Sequence, residues 1–363
     1  MKLACIVGAR PNFVKMAALL EEIRRRPACR FRLIHTGQHY SPEMSDSFFD
    51  ELEIPAPDVN LEVGSGSALW QIGEILKRLE PVLAETAPDV VVVVGDVNST
   101  LAGALAAAKL GLRVAHVEAG LRSFDRSMPE ETNRMVTDAL SDFLFVSEPS
   151  GERNLLAEAV SREKIFFVGN VMIDTLSRFR TKAEQSDVLE RLGLKEESFA
   201  LATMHRPSNV DEVGPLAGLV EALNEIARRL PVVFPVHPRT AQFLAASGVD
   251  TSRVRTVAPL GYLDFLRLMS RARLVLTDSG GIQEETTFLQ VPCLTLRHNT
   301  ERPVTIELGT NRLVGNDPAR IVEAACEALE SPLPSGRMPE KWDGRAAGRI
   351  LDVLEAATAQ DRT

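Results

Sequence analysis

"VVVVVGDVNSTLAGALAAAKLG", residues 90–111, sets five consecutive valines against a helical pattern rich in alanine and leucine. An unbroken β-branched run without polar alternation suits a strand covered on both faces, as in a parallel sheet flanked by helices. The polar residues Gly95–Ser99 stand where that strand stops and the helix over 98–110 begins. The same unit recurs. "LACIVGA" precedes a helix over 11–26, "FRLIHTG" one over 41–52, "VAHVEAG" one over 129–140 and "FLFVS" one over 149–159, and "IFFVGN" closes the series. The polar stretch 178–198 interrupts the rhythm and is expected to link two domains. Beyond it "FALATMH", "PVVFPVH", "VRTVAP", "RLVLTDS" and "PCLTLR" alternate with helices near 212–230, 239–246, 262–271 and 281–289. The expected architecture is α/β: two Rossmann-like, doubly wound parallel-sheet domains, residues 1–175 and 176–363, with a ligand cleft between them. The tail over 342–360 reads as a terminal amphipathic helix able to pack back on the N-terminal domain.

Composition narrows the function. The 363 residues exceed the roughly 250–300 at which a single core stops growing. A net charge of −9 argues against a general binder of nucleic acid or anionic membrane, so cations for an anionic ligand must be gathered locally. Cys5, Cys29, Cys293 and Cys326 are scattered, without CxxC pairing, and read as reduced thiols of a cytoplasmic protein. No apolar run approaches the ~20 residues of a membrane span, and "MKLACIVGAR" reaches Arg10 before a signal-peptide core could form.

The chemistry gathers where strands end. Gly8–Arg10 with Lys15, Thr36–His39, Gly95–Ser99, Glu118–Arg122, His205–Arg206, His237–Arg239 and Asp278–Gly281 all follow apolar runs. A cap or a turn explains any one of them; seven at the same topological edge point to a ligand site. "TDSGGIQEE", 277–285, ends a strand in small residues and opens a helix, offering backbone N–H groups to a phosphate. Arg10, Lys15, Arg206 and Arg302 supply cations suited to a diphosphate, although each alone also fits solvated surface charge. "MPEETNRMVTDAL", 128–140, looks like an ordinary helix start, with proline and acids in its first turn. "GSGSAL", 64–69, lacks the dinucleotide fingerprint, and neither a Walker A sequence nor HExxH is present. The histidines lack metal-ligand spacing, so the expectation is an enzyme or binder without nicotinamide cofactor or catalytic metal.

Taken in order, "GARPNFVKMAAL", "TGQHYSPEMSDSFF", "VGDVNSTLAGALAAAKLG", "VAHVEAGLRSFDRSMPEETNR", "FVGNVMIDTL", "HRPSNVD", "PVHPRT", "PLGYLDFLRLM", "LTDSGGIQEET" and "RPVTIELGTNRLVG" closely resemble the non-hydrolysing UDP-N-acetylglucosamine 2-epimerases nearly end to end. The resemblance implies a GT-B-like fold, a homodimer, and reversible interconversion of UDP-GlcNAc and UDP-ManNAc without a cofactor. It implies catalytic roles for Asp96, Glu118, Glu130, Arg134 and His205. It further implies UDP or sugar contacts for Arg10, Lys15, Arg206, His237, Phe265, Ser279, Gly280, Gly281, Glu285 and Arg302, with Phe265 beside the uracil and Glu285 on the ribose hydroxyls. Gln38, His39 and Gln71 match a regulatory site of members activated by substrate, but Trp70 stands where those members carry arginine. Ser208 in "HRPSN" replaces a glutamate common in the family. "GARPNF" and "LRSFDRSMPEE" also resemble relatives acting on UDP-2,3-diacetamido-glucuronate. A GT-B glycosyltransferase, a hydrolysing epimerase and a non-catalytic UDP-sugar sensor are the competing readings.

Overall fold

The structure, a computed structural model, describes residues 1–38, 48–210, 212–236, 238–332 and 336–360. The chain forms two compact units, Met1–Arg178 with Glu340–Thr363, and Phe179–Pro339.

In the first unit the strands are β1 (Lys2–Val7), β2 (Arg30–His35), β3 (Val59–Asn60), β4 (Val90–Val94), β5 (Arg113–Val117), β6 (Phe143–Val146) and β7 (Ile165–Phe167). They pair in parallel in the order β3-β2-β1-β4-β5-β6-β7. The helices are α1 (Arg10–Arg24), α2 (Ala68–Thr86), α3 (Asn98–Lys109), α4 (Pro129–Leu140), α5 (Pro149–Ala157) and α6 (Val171–Ala183). All five valines of β4 are buried, as a strand covered on both faces requires. Val91 and Val93 pack with Ile75, Leu79 and Leu83 of α2 and with the alanines of α3. The alanine-rich face of α3 thus meets the sheet where the opening stretch of sequence placed it.

In the second unit the strands are β8 (Ala200–Thr203), β9 (Val232–Pro235), β10 (Val254–Val257), β11 (Leu274–Thr277), β12 (Cys293–Thr295) and β13 (Asn311–Leu313). Their order is β10-β9-β8-β11-β12-β13, again all parallel. Between them run α7 (Val188–Arg191), α8 (Pro207–Val210), α9 (Val213–Ile226), α10 (Pro238–Ser247), α11 (Tyr262–Arg271), α12 (Gly280–Leu289), α13 (Val304–Glu307) and α14 (Pro318–Glu330). In each unit the sheet order reverses between the first and fourth strands, β1/β4 and β8/β11. Loops leaving the carboxyl ends of such a strand pair line the ligand crevice of a doubly wound sheet.

One expectation needs adjustment. The stretch 178–198 is not a plain linker: α6 runs to Ala183, and α7 buries Val188 and Leu189. The edge strands β3 and β13, two and three residues long, carry too little pattern to be read from sequence. "GSGSAL" is the entry to α2, where Ser67 accepts the Trp70 N–H at 3.4 Å. The helix expected over 41–52 falls largely outside the described residues.

The last helix, α15 (Ala346–Gln360), belongs to the first unit and packs on α1. Ahead of it, buried Trp342 donates to the Ser147 carbonyl at 3.1 Å, and Asp174 accepts the Ala347 N–H at 2.7 Å. Arg26 holds Glu355 at 2.7 Å.

Candidate active site

At the β1/β4 divergence of the first unit, Asn12 holds both strand ends. Its Oδ1 accepts the Gly8 and Ala9 N–H groups, each at 3.2 Å, and its Nδ2 donates to the Val94 carbonyl at 2.9 Å. One turn along α1, the Lys15 ammonium meets Glu118 Oε2, with both side chains more than nine-tenths buried. Gly95 turns the chain beneath them at φ +68°, and a Cβ there would lie 2.9 Å from Lys15 Nζ. Glyless backbone would therefore meet both a steric and a conformational obstacle. Glu118 itself has φ +74°. The Glu118 and Ala119 N–H groups both donate to the Phe145 carbonyl at 3.0 Å, so the left-handed turn aiming this carboxylate is held by β6.

Asp96 follows Gly95. Its Oδ2 accepts from Arg134 Nε at 3.1 Å and Nη2 at 2.8 Å, and its carbonyl accepts from Asn133 Nδ2 at 2.9 Å. The third Arg134 bond, 2.5 Å from Nη1, goes to Glu131. Glu131 is buried and also accepts the Ser123 N–H and Oγ–H and the Phe124 N–H, each at 2.9 Å. It anchors the loop before α4. Glu130 is half-buried in the first turn of that helix. Pro129 and the paired acids explain where α4 starts, while Arg134 and Asn133 show what it carries.

Arg10 lies over the Phe48 ring, 4.1 Å from its centroid, and burial lowers its pKa despite the nearby Glu51 carboxylate. Lys15, Arg134 and Arg302 are all at least nine-tenths buried, so they are not solvated surface charges. Gln38 accepts from the Ser99 N–H at 3.1 Å and the Ser99 hydroxyl at 2.7 Å. Gln71 donates to the Gln38 and Gly64 carbonyls at 3.2 and 3.0 Å, and accepts from Asn98 at 2.9 Å. Both glutamines are buried structural bridges here. His39 and His237 lie outside the described residues.

In the second unit the matching loops leave β8 and β11. Asp278, fully buried, accepts the His205 and Arg206 N–H groups at 3.1 and 3.0 Å and Asn209 Nδ2 at 3.0 Å, and lies 3.0 Å from His205 Nδ1. Burial opposes its ionisation, but His205 and these donors outweigh that and hold its carboxyl below the ordinary value. The His205 ring is 58% exposed, presented on a backbone that Asp278 fixes. Ser279 precedes the first residue of α12, where Gly280 lies so close to Arg302 that a Cβ would fall 2.5 Å from Nη1. Arg302 reaches Glu284 at 3.0 Å and Glu301 at 2.7 Å, and Arg206 lies 3.7 Å from Glu301. Burial, then the neighbouring Glu284, pushes the Glu285 carboxyl up to about 8. Phe265 is half-buried on α11. Among the described residues no group of three or more His, Cys, Asp or Glu side chains is arranged to hold a metal ion.

The sequence pattern of the family described as UDP-N-acetylglucosamine 2-epimerase matches residues 21–355. The chain belongs to this family. The UDP-N-acetylglucosamine 2-epimerase of Methanococcus maripaludis is 44% identical over 91% of this chain and 92% of its own length. The UDP-2,3-diacetamido-2,3-dideoxy-D-glucuronate 2-epimerase of Pseudomonas aeruginosa is 41% identical over 98% and 99%. The crystal structure of Methanocaldococcus jannaschii UDP-GlcNAc 2-epimerase in complex with UDP-GlcNAc and UDP superposes with a TM-score of 0.92. It is 41% identical and covers 98% of this chain and 100% of that one. The GT-B-like, two-domain α/β expectation for the epimerase chain is thereby met.

The sequence reading did not single out Asn12, Asn133 or Asp138, considered His116 only for metal-ligand spacing, and placed Asp278 in a strand-end cluster without assigning it the His205, Arg206 and Asn209 partners it has. A histidine inside the apolar run "VAHVEAG" was the available signal, because a polar ring in a buried strand needs partners.

Proposed function

We propose that the chain interconverts UDP-GlcNAc and UDP-ManNAc. The C2 proton of the sugar has no neighbouring carbonyl to acidify it, so the route is elimination. A carboxylate removes the C2 proton, the C1–O bond breaks, and UDP departs with the electron pair, leaving 2-acetamidoglucal. A carboxylic acid on the other face then protonates C2, and a UDP oxygen adds back to C1. Glu118 and Glu130 carry the two proton transfers, and Asp96, paired with Arg134, tunes or assists them. Arg134, His205 and the remaining cations Arg10, Lys15, Arg206 and Arg302 bear on the sugar or the leaving diphosphate. The start of α12 at Ser279–Gly281 takes phosphate, Phe265 lies beside the uracil, and Glu285 serves the ribose, where a protonated carboxyl both donates and accepts. His237 joins the nucleotide contacts.

The observation that carries this reading is the placement of Glu118, Asp96, Lys15 and Arg134 in one cluster at the β1/β4 divergence, on a chain of this family. The 41% identical Pseudomonas relative supports a second reading, a UDP-2,3-diacetamido-glucuronate substrate. A homodimer fits the exposed Leu69 and Trp70 on α2, and a cytoplasmic location fits the free thiols. Gln38, His39 and Gln71 are a weaker regulatory set, because the first and last are already engaged. Incubation with UDP-GlcNAc in D2O, followed by NMR, is expected to yield UDP-ManNAc deuterated at C2. Free ManNAc and UDP would mean a hydrolysing enzyme. An unchanged UDP-GlcNAc spectrum alongside turnover of the diacetamido-glucuronate would move the substrate.

A further inference from the structure

Beneath the proposed acid–base residues lies a second polar group, none of whose members is among the residues the family resemblance implies for catalysis or UDP contact. His116, inside β5, is fully buried, and Asp138 and Arg122 are nearly so. His116 Nδ1 lies 2.6 Å from Asp138 Oδ1, and Nε2 donates to the Gly95 carbonyl at 2.8 Å. The other Asp138 oxygen accepts the Gly120 N–H at 3.1 Å and faces Arg122 Nη2 at 2.7 Å. Arg122 is held from its far side by Glu158, at 2.8 and 2.7 Å.

The bonds of His116 and Asp138 end beside segments that carry proposed catalytic groups. Gly95 directly precedes Asp96. His116 and Gly120 bracket Glu118 on either side. Asp138 lies one turn beyond Arg134 on α4, the helix that begins with Glu130. We infer that the buried His116–Asp138–Arg122 unit is a positioning device for the reaction, setting the spacing of the Asp96 turn, the Glu118 turn and α4 from below. The inference rests on the epimerase reading. Stability alone does not call for this unit, since apolar residues of similar volume often replace buried ion pairs at no cost. Its directed bonds supply fixed geometry between three backbone segments, two of which turn through left-handed conformations at Gly95 and Glu118. Small displacements of reacting groups are expensive in rate and cheap in ground-state binding.

The test compares the full-length wild type with His116→Leu, His116→Gln and Asp138→Asn, measuring kcat and KM for UDP-GlcNAc, C2 deuterium exchange, UDP affinity and thermal melting. His116→Leu is expected to lower kcat about 100-fold, with exchange falling in step, while KM and the Kd for UDP stay within about 2-fold. The His116→Gln amide reaches the position of Nε2 and can donate to the Gly95 carbonyl, so about 10-fold of the loss should return. If His116→Leu does not fold, Asp138→Asn, which keeps shape and leaves a histidine able to donate to Gly95, should still show about a 10-fold fall confined to kcat. A folded His116→Leu with near-wild-type kcat would overturn the proposal, as would equal losses in the Leu and Gln variants that follow only their melting temperatures. For Asp138→Asn, an unchanged kcat would do the same. A wild type inactive on both UDP-GlcNAc and UDP-2,3-diacetamido-glucuronate would overturn the epimerase reading itself, so the two failures are distinguishable.

Discussion

Glu118 is held in a backbone conformation that costs a non-glycine residue about 1–3 kcal/mol, which the surrounding structure must impose. The two N–H bonds to Phe145 impose it and the Lys15 ammonium meets the carboxylate. Glu118→Gln and Glu130→Gln keep shape and remove the proton-transfer group, so each is expected to cut C2 exchange by about 100-fold or more, with UDP affinity unchanged by calorimetry. A variant exchanging at the wild-type rate has no acid–base role. Glu131, the next residue, has a different task. Glu131→Ala removes a carboxylate from buried Arg134 and strands the Ser123 and Phe124 N–H groups, so a stability loss of about 3–5 kcal/mol is expected by urea unfolding.

At the scale of elements, the loop joining β5 to α4 is tightly specified. Gly120 has φ +78°, and a Cβ would lie 2.3 Å from the Gly151 carbonyl oxygen at the start of α5. The Gly120 N–H is taken by Asp138, and Asn154 donates to its carbonyl at 2.8 Å. Gly120→Ala therefore meets both a backbone penalty and a collision with main chain, and about 2–4 kcal/mol of destabilisation is expected in thermal or urea unfolding. An alanine variant as stable as wild type would show that α5 moves away freely. The helix over 129–140 was readable to its end residues because proline, paired acids and periodicity agree there. The edge strands β3 and β13 were not, because two or three paired residues leave no period to detect.

For the whole molecule, the buried carboxyl of Glu285 gives stability a definite pH dependence. Its pKa rises from 4.5 to about 8 on folding, so in that interval the folded chain binds more protons than the unfolded one. Its contribution to stability is full below 4.5 and is lost as pH rises towards 8. The urea midpoint of the wild type should accordingly fall more steeply between pH 5 and pH 8 than that of Glu285→Gln; parallel profiles would place the Glu285 proton elsewhere. Asp278, whose carboxyl is held below its ordinary value, acts in the opposite sense, its contribution being lost as pH falls through the acid range.

The valine run at 90–94, the repeated strand–helix rhythm and the order of the strand-end motifs were enough to establish an α/β chain of parallel sheets and its family, and to mark the segments proposed to carry chemistry. Those features are local: burial on both faces, helical period and turn residues are written within a few positions of one another. The supports of the site are not. His116 finds Asp138 and Gly95 across separations of 22 and 21 residues, Asn12 finds Val94 across 82, and Asp278 finds His205 across 73. Nothing in the sequence near His116 distinguishes a core histidine from one that holds three loops in register. Only the order in which strands pair brings these groups together, because a hydrogen bond depends on distance and direction in space, which sequence periodicity does not encode.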